Sequence, residues 1–272
     1  MTKNAETIVR EGDQLPAVAG GLAHEIWGDG TPVVLVHGSL ATGAEEWDAQ
    51  RPLADEGFRL VVLDRRGYGN SPVASGEDFL ADAADIAEMM GDGAHLVGHS
   101  YGGLGAMLAA ARRPTATRSL TLLEAPACEL AEDDPAWRHL VAEVRELWSA
   151  DLPDEEWVVR FLKSVGSDPD QFTPEFLAIA VPLVPEFRRG RAIFEAELPL
   201  SELAAASFPK LVVSGGHHQG FEAMSDELAR RIGATRMTIT GAGHEIQFTG
   251  PPLNDALREL WRNGEPATAT AH

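Results

Sequence analysis

Six short apolar runs punctuate the chain: VVLVHG at residues 33–38, the centre of FRLVVLDRRG at 60–63, and the cores of AHLVGHS, SLTLLEAP, PKLVVSGG and TRMTITGAGH. Each is rich in β-branched residues and nearly continuous rather than alternating, which fits strands buried on both faces. Between the runs, apolar positions recur at helical spacing. EEWDAQRPLADEG brings Trp47, Leu53 and Ala54 onto one face of a predicted helix. EDFLADAADIAEMMG does the same with Phe79, Ala83, Ile86 and Met90, then stops at Gly91. YGGLGAMLAAARRP reads as a helix of small residues ending before Pro114, and FEAMSDELARRIG and PPLNDALRELW supply two more. Strands alternating with helices predict an α/β fold, a mostly parallel central sheet with helices on both faces and right-handed crossovers.

One region breaks the alternation. Residues 128–200 contain no convincing strand, but carry amphipathic stretches such as WRHLVAEVRELW and EEWVVRFLKSV between prolines. They read as a helical insertion between two strands, so the chain divides into a core of residues 1–127 and 201–272 and an insertion of 128–200. Trp137, Trp148, Trp157, Phe161, Phe172, Phe176, Phe187 and Phe194 form the insertion's own core in this reading, with a minority left to line a pocket.

A chain of 272 residues that is 44% hydrophobic can bury a sizeable core. Its formal charge of −20 argues against nucleic acid or an anionic membrane as partner and is read as a solubility feature. The single cysteine, Cys128, excludes an internal disulfide and fits a reducing compartment. MTKNAETIVREGDQLPAVAG shows no apolar signal-like segment, no run approaches the length of a membrane span, and the tail NGEPATATAH carries no visible chemistry. The expectation is a cytoplasmic protein with a small-molecule substrate.

The chemistry concentrates at Gly98-His99-Ser100-Tyr101-Gly102, which fits G-x-S-x-G between a strand-like and a helical segment. That context suits a serine on a strained strand-to-helix turn, its hydroxyl exposed and flanked by glycines that let neighbouring backbone pass close. A serine nucleophile needs a base. Of nine histidines, His244 in GAGHEI follows the last strand-like run and so reaches the same sheet edge as Ser100. His95 precedes a strand and lies at the opposite edge; His24, His139 and His272 fall in an early strand, the insertion and the tail. An oxyanion needs two backbone N–H donors. Tyr101, directly after the serine, and Ser39, in the turn HGSL, are the expected pair, with His37 read as a local packing residue. His217 and His218 invite a metal reading, but adjacent residues in extended chain face opposite ways and no third ligand accompanies them. No metal and no cofactor are expected.

The segments VVLVHGSL, VVLDRRGYGNS, LVGHSYGG and GAGH, in this order and spacing, resemble the α/β-hydrolase fold family over nearly the whole chain. The resemblance implies that Asp64, Arg65 and Gly67 are structural and that residues 128–200 are a helical cap roofing the pocket. It implies a triad acid as well, usually after the strand that here reads KLVVSG. That position falls near His218, and no carboxylate stands there. Some relatives, haloalkane dehalogenases among them, carry the acid one strand earlier, where this chain has Glu124 at the end of SLTLLEAP. Glu124 is therefore the expected acid, with Glu222 and Asp226 as fallbacks and Glu245 pointing away from the base. The implied activity is carboxylic-ester hydrolysis of a small acyl ester through Ser100, His244 and Glu124. Lyase, C–C bond hydrolase, perhydrolase or cofactor-free oxygenase chemistry, or slow hydrolysis by a small-molecule receptor, are the alternatives. Serine in place of aspartate argues against dehalogenase and epoxide hydrolase reactions. The oligomeric state is left open.

Overall fold

The computed structural model describes residues 21–263 apart from 131, 133, 168, 169 and 171; the N-terminal stretch and the tail discussed above lie outside the described residues. Strands β1 (His24–Trp27), β2 (Thr31–Val36), β3 (Phe58–Leu63), β4 (Ala94–His99), β5 (Thr117–Leu123), β6 (Lys210–Ser214) and β7 (Thr235–Thr238) form one sheet. Their order is β1-β3-β2-β4-β5-β6-β7. β1 is antiparallel to β3, and every other pairing is parallel. The apolar runs are continuous because both faces are covered. Val34, Val36, Leu96, Leu120, Leu122 and Val212 are buried on one face; Val33, Leu35, Val97, Leu123, Leu211 and Val213 are buried on the other.

Helix α1 (Gly43–Trp47) is shorter than the predicted helix and passes into a 3₁₀ stretch, Asp48–Glu56. Pro52 lies inside it, and a proline without an N–H cannot sustain the α-helical ladder. Helix α2 (Phe79–Met89) starts where the Asp78 carboxylate accepts the Leu80 N–H, and α3 (Ser100–Arg112) leaves directly from β4. Between β5 and β6 run α4 (Pro135–Trp148), α5 (Asp154–Ser164), α6 (Pro174–Ala180), α7 (Val184–Arg189) and α8 (Leu200–Ala205). No strand occurs there among the described residues. α4 buries Trp137, Leu140, Val144 and Leu147 on one face. Trp157 donates its indole N–H to the Leu147 carbonyl at 2.8 Å and stacks on Phe161 at 5.2 Å between ring centres. This aromatic core is continuous with the α3 side of the sheet, where Leu104 and Met107 are buried in the same cluster. Helices α9 (Gln219–Ile232) and α10 (Pro251–Asn263) complete the layers. No helix is long and apolar enough to cross a membrane among the described residues.

Candidate active site

Three non-glycine residues among those described adopt positive φ: Leu40 (+67°), Ser100 (+47°) and Glu124 (+43°). They follow the carboxyl ends of β2, β4 and β5, three neighbouring strands. Such a backbone costs about 1–3 kcal/mol per residue and persists only where packing enforces it. At Ser100 the enforcement is visible. A Cβ at Gly98 would stand 2.7 Å from the Gly103 Cα, and one at Gly102 would stand 2.3 Å from the His37 carbonyl oxygen. The glycines let α3 press against β4 and the loop after β2, and the strand must turn sharply to enter that helix.

The turn brings three side chains into line. His244 Nε2 lies 3.1 Å from Ser100 Oγ, and His244 Nδ1 lies 2.7 Å from Glu124 Oε2. The other carboxylate oxygen, Oε1, accepts the Gly215 N–H at 2.8 Å. Glu124 is fully buried and His244 nearly so. Burial pushes the Glu124 carboxyl up, against His217, the Gly215 N–H and His99. Burial pulls the His244 imidazole down, with His99 adding to the fall. The imidazole is therefore neutral, its Nε2 lone pair free to accept the Ser100 hydroxyl proton while Nδ1–H donates to Glu124. The fallback carboxylates stand elsewhere. Glu222 accepts from Arg236, Thr238 and the Gly216 N–H, and Asp226 also pairs with Arg236. Glu245 accepts the Ser167 hydroxyl at 2.6 Å.

The loop bearing Ser39 is pinned from below. Buried Arg65 donates to the carbonyls of His37 and Gly38 at 2.9 and 2.8 Å, and to Glu77 and Asp82 at 2.5 and 3.0 Å. The Ser39 hydroxyl donates to Glu77, and the Gly38 N–H donates to Glu46. His37 is a packing residue: Nδ1–H donates to the Gly38 carbonyl and Nε2 accepts the Arg65 N–H. Tyr101 is the second residue of α3, where backbone N–H groups lack helical partners. Ser39, Ser100, Tyr101, Glu124 and His244 all border one small chamber.

Sequence reasoning missed the layer beneath. Glu46, on α1, accepts from His99 Nδ1–H at 2.9 Å, and His99 Nε2–H donates to the His244 carbonyl at 3.1 Å. Burial pulls the His99 imidazole down, but Glu46 draws it up and the net shift is up. The G-x-S-x-G pattern leaves that position free, and Glu46 lies 53 residues away, so no local signal joins them. His217 and His218 are separate: His217 faces the Val165 carbonyl, while His218 accepts the Gly220 N–H and caps α9. No group of three or more potential ligands could hold a metal among the described residues.

Two chambers meet at Ser100 and His244. The inner one, a cavity of about 40 Å³, is walled by apolar groups including Trp137, Leu140, Val144, Phe187 and Phe221. The outer one, about 530 Å³, runs past Phe161, Phe172, Phe176 and Ile179 to Phe248. Ile179 and Phe248 are large apolar residues exposed at its mouth.

A strand-ordered parallel sheet with this serine turn defines the α/β-hydrolase class. The model of the alpha/beta hydrolase fold family matches residues 31–154. The chain is 40% identical over 82 residues to the non-heme chloroperoxidase CPO-A1 of Kitasatospora aureofaciens, covering 28% of this chain and 30% of that protein. It is 35% identical over 112 residues to the pimeloyl-[acyl-carrier protein] methyl ester esterase of Aeromonas salmonicida, covering 40% and 44%. The matches thus span less than half the length of these curated relatives. Among solved structures, a thermophilic esterase from Thermogutta terrifontis shares the fold with a TM-score of 0.69 at 24% identity, over 95% of this chain and 100% of that one.

Proposed function

We propose that this protein is a serine hydrolase that cleaves esters of short carboxylic acids. The observation that carries the reading is the chain of hydrogen bonds from Ser100 Oγ through His244 to Glu124, opening on an apolar chamber. In this mechanism Ser100 Oγ attacks the acyl carbon while His244 Nε2 takes its proton. Glu124 stabilises the imidazolium that forms, and the N–H groups of Ser39 and Tyr101 receive the oxyanion. His244 then returns the proton to the departing alcohol. Water, deprotonated by His244, attacks the acyl-enzyme and releases the acid and Ser100. None of these steps calls for a metal or cofactor.

The chambers divide the substrate. The outer one is the larger and reaches the exposed Phe248, so the alcohol leaves through it and the acyl chain occupies the smaller inner one. A cavity of about 40 Å³ has room for about three water-sized groups, the length of an acetyl to butyryl chain. Residues 128–200 act as the cap, since α4, α5 and α7 supply much of the inner wall. The names of relatives support ester chemistry at this site.

The test is turnover of a p-nitrophenyl ester series together with a fluorophosphonate label. The expected result is a covalent adduct on Ser100 and kcat/KM that peaks between acetyl and butyryl. Octanoyl ester as the best substrate would overturn the chamber assignment. Absence of both turnover and adduct would overturn the hydrolase reading.

A further inference from the structure

Glu124 faces a second imidazole. His217 stands in the turn after β6, half-covered by the end of α5, and its Nε2 lies 2.9 Å from the Val165 carbonyl oxygen. A carbonyl only accepts, so Nε2 carries the hydrogen. That leaves Nδ1 directed at Glu124 Oε1, 3.4 Å away, buried and without a hydrogen-bond partner. The neutral ring therefore presents a lone pair to a carboxylate oxygen, while the protonated ring presents a donor to it. Gly166 makes the placement possible: its φ is +82°, and a Cβ there would sit 2.2 Å from the His217 ring. The same carboxylate thus meets His244 on one oxygen and His217 on the other.

We infer that His217 is a positioning residue, which ties the end of α5 to Glu124 and, when protonated, takes a share of the carboxylate's charge from His244. The inference rests on the ester-hydrolase reading of Ser100, His244 and Glu124. The groups facing His217 set the sign of its effect. Glu124 faces it from β5, His244 from the loop after β7, and His218 adjoins it. Glu222 on α9 and His99 on β4 bear on Glu124 itself. A cationic His217 both repels a proton on His244 and competes for Glu124. Either effect keeps His244 in its free-base form to lower pH. Removing the charge lets His244 take up its proton earlier as pH falls.

His217→Gln keeps a side-chain amide able to donate to Val165 and removes the titrating ring. The expected result is an acid limb of kcat/KM displaced upward by about half a pH unit or more, a several-fold lower kcat, and an unchanged KM and melting temperature. His217→Asn, too short to reach Val165, should displace the limb equally but also lower the melting temperature. An acid limb that stays in place in His217→Gln overturns the inference. Because either variant can fail to fold, imidazole nitrogen NMR of the unsubstituted protein supplies a second reading that needs no turnover. His217 should appear with its proton on Nε2, and its Nδ1 resonance should shift in Glu124→Gln. A proton on Nδ1 alone, or an Nδ1 resonance indifferent to Glu124, overturns the inference, and does so even if the ester chemistry fails.

Discussion

At Glu124 the two carboxylate oxygens have separate partners, and this makes the residue hard to replace. Oε2 takes the His244 Nδ1–H, and Oε1 takes the Gly215 N–H. Glu124→Gln keeps the volume, but its amide nitrogen cannot accept, and the imidazolium loses its counter-charge. The expected loss in kcat is about 10²–10⁴ with little change in KM, against less than about tenfold for Glu222→Gln or Asp226→Asn. A crippled Asp226→Asn beside an active Glu124→Gln would transfer the role to the later carboxylate. The pH profile follows from the base. An ordinary histidine would place the acid limb of kcat/KM at about 6.5. Burial lowers the His244 imidazole, so its proton binds only at more acid pH and the base stays free as pH falls past that value. Half-maximal kcat/KM is expected below about pH 6, measured with a buffer-independent ester assay. The line of Ser100, His244 and Glu124 was legible because a polar residue directly after a buried strand, as Ser100 and Glu124 are, needs a partner there. His244 was reached only by following the last strand to the same sheet edge. Glu46 and His99 were not legible, because their pairing exists only once α1 has folded over β4.

Among the elements, the strands declared themselves because a parallel strand buried on both faces leaves an unbroken apolar run. The helix after β2 did not read correctly, since its apolar spacing survives in a 3₁₀ turn while Pro52 breaks the α-helical ladder. The junction of β4 with α3 is a tight point of the fold. Gly102→Ala would drive a methyl group to within 2.3 Å of the His37 carbonyl and 2.8 Å of the Val36 carbonyl. Backbone cannot yield there without moving the loop that carries Ser39. The expected cost is about 1–3 kcal/mol in the denaturation midpoint, with a fall in kcat beyond what the lost stability explains. A variant that loses stability but keeps full kcat would show that the Ser39 loop tolerates displacement. Gly105, one turn further on, is less demanding, because its added methyl would meet the flexible end of Ile86 at 3.0 Å.

For the molecule as a whole, the sequence marked residues 128–200 as lacking strands, and none occurs there among the described residues, but it did not say which of their side chains line the chambers. That choice depends on how α4, α5 and α7 settle on α3, a matter of three-dimensional packing with no local signature. The ladder of β4 and β5 ends at the pair His99 and Leu123, and Ser100 and Glu124 are the next residue on each strand. Ser100 and Glu124 are thus held apart by the interstrand spacing of the sheet, about 4.8 Å, rather than by any loop. The walls of the inner chamber come instead largely from α4, α5 and α7, which lie outside the hydrogen-bonded sheet. Heat should therefore erode discrimination before it erodes reactivity. As temperature rises toward the unfolding midpoint, the ratio of butyryl to octanoyl turnover is expected to fall toward unity while acetyl ester hydrolysis continues. Parallel loss of both, at one temperature, would mean that the wall and the sheet melt as a single cooperative unit.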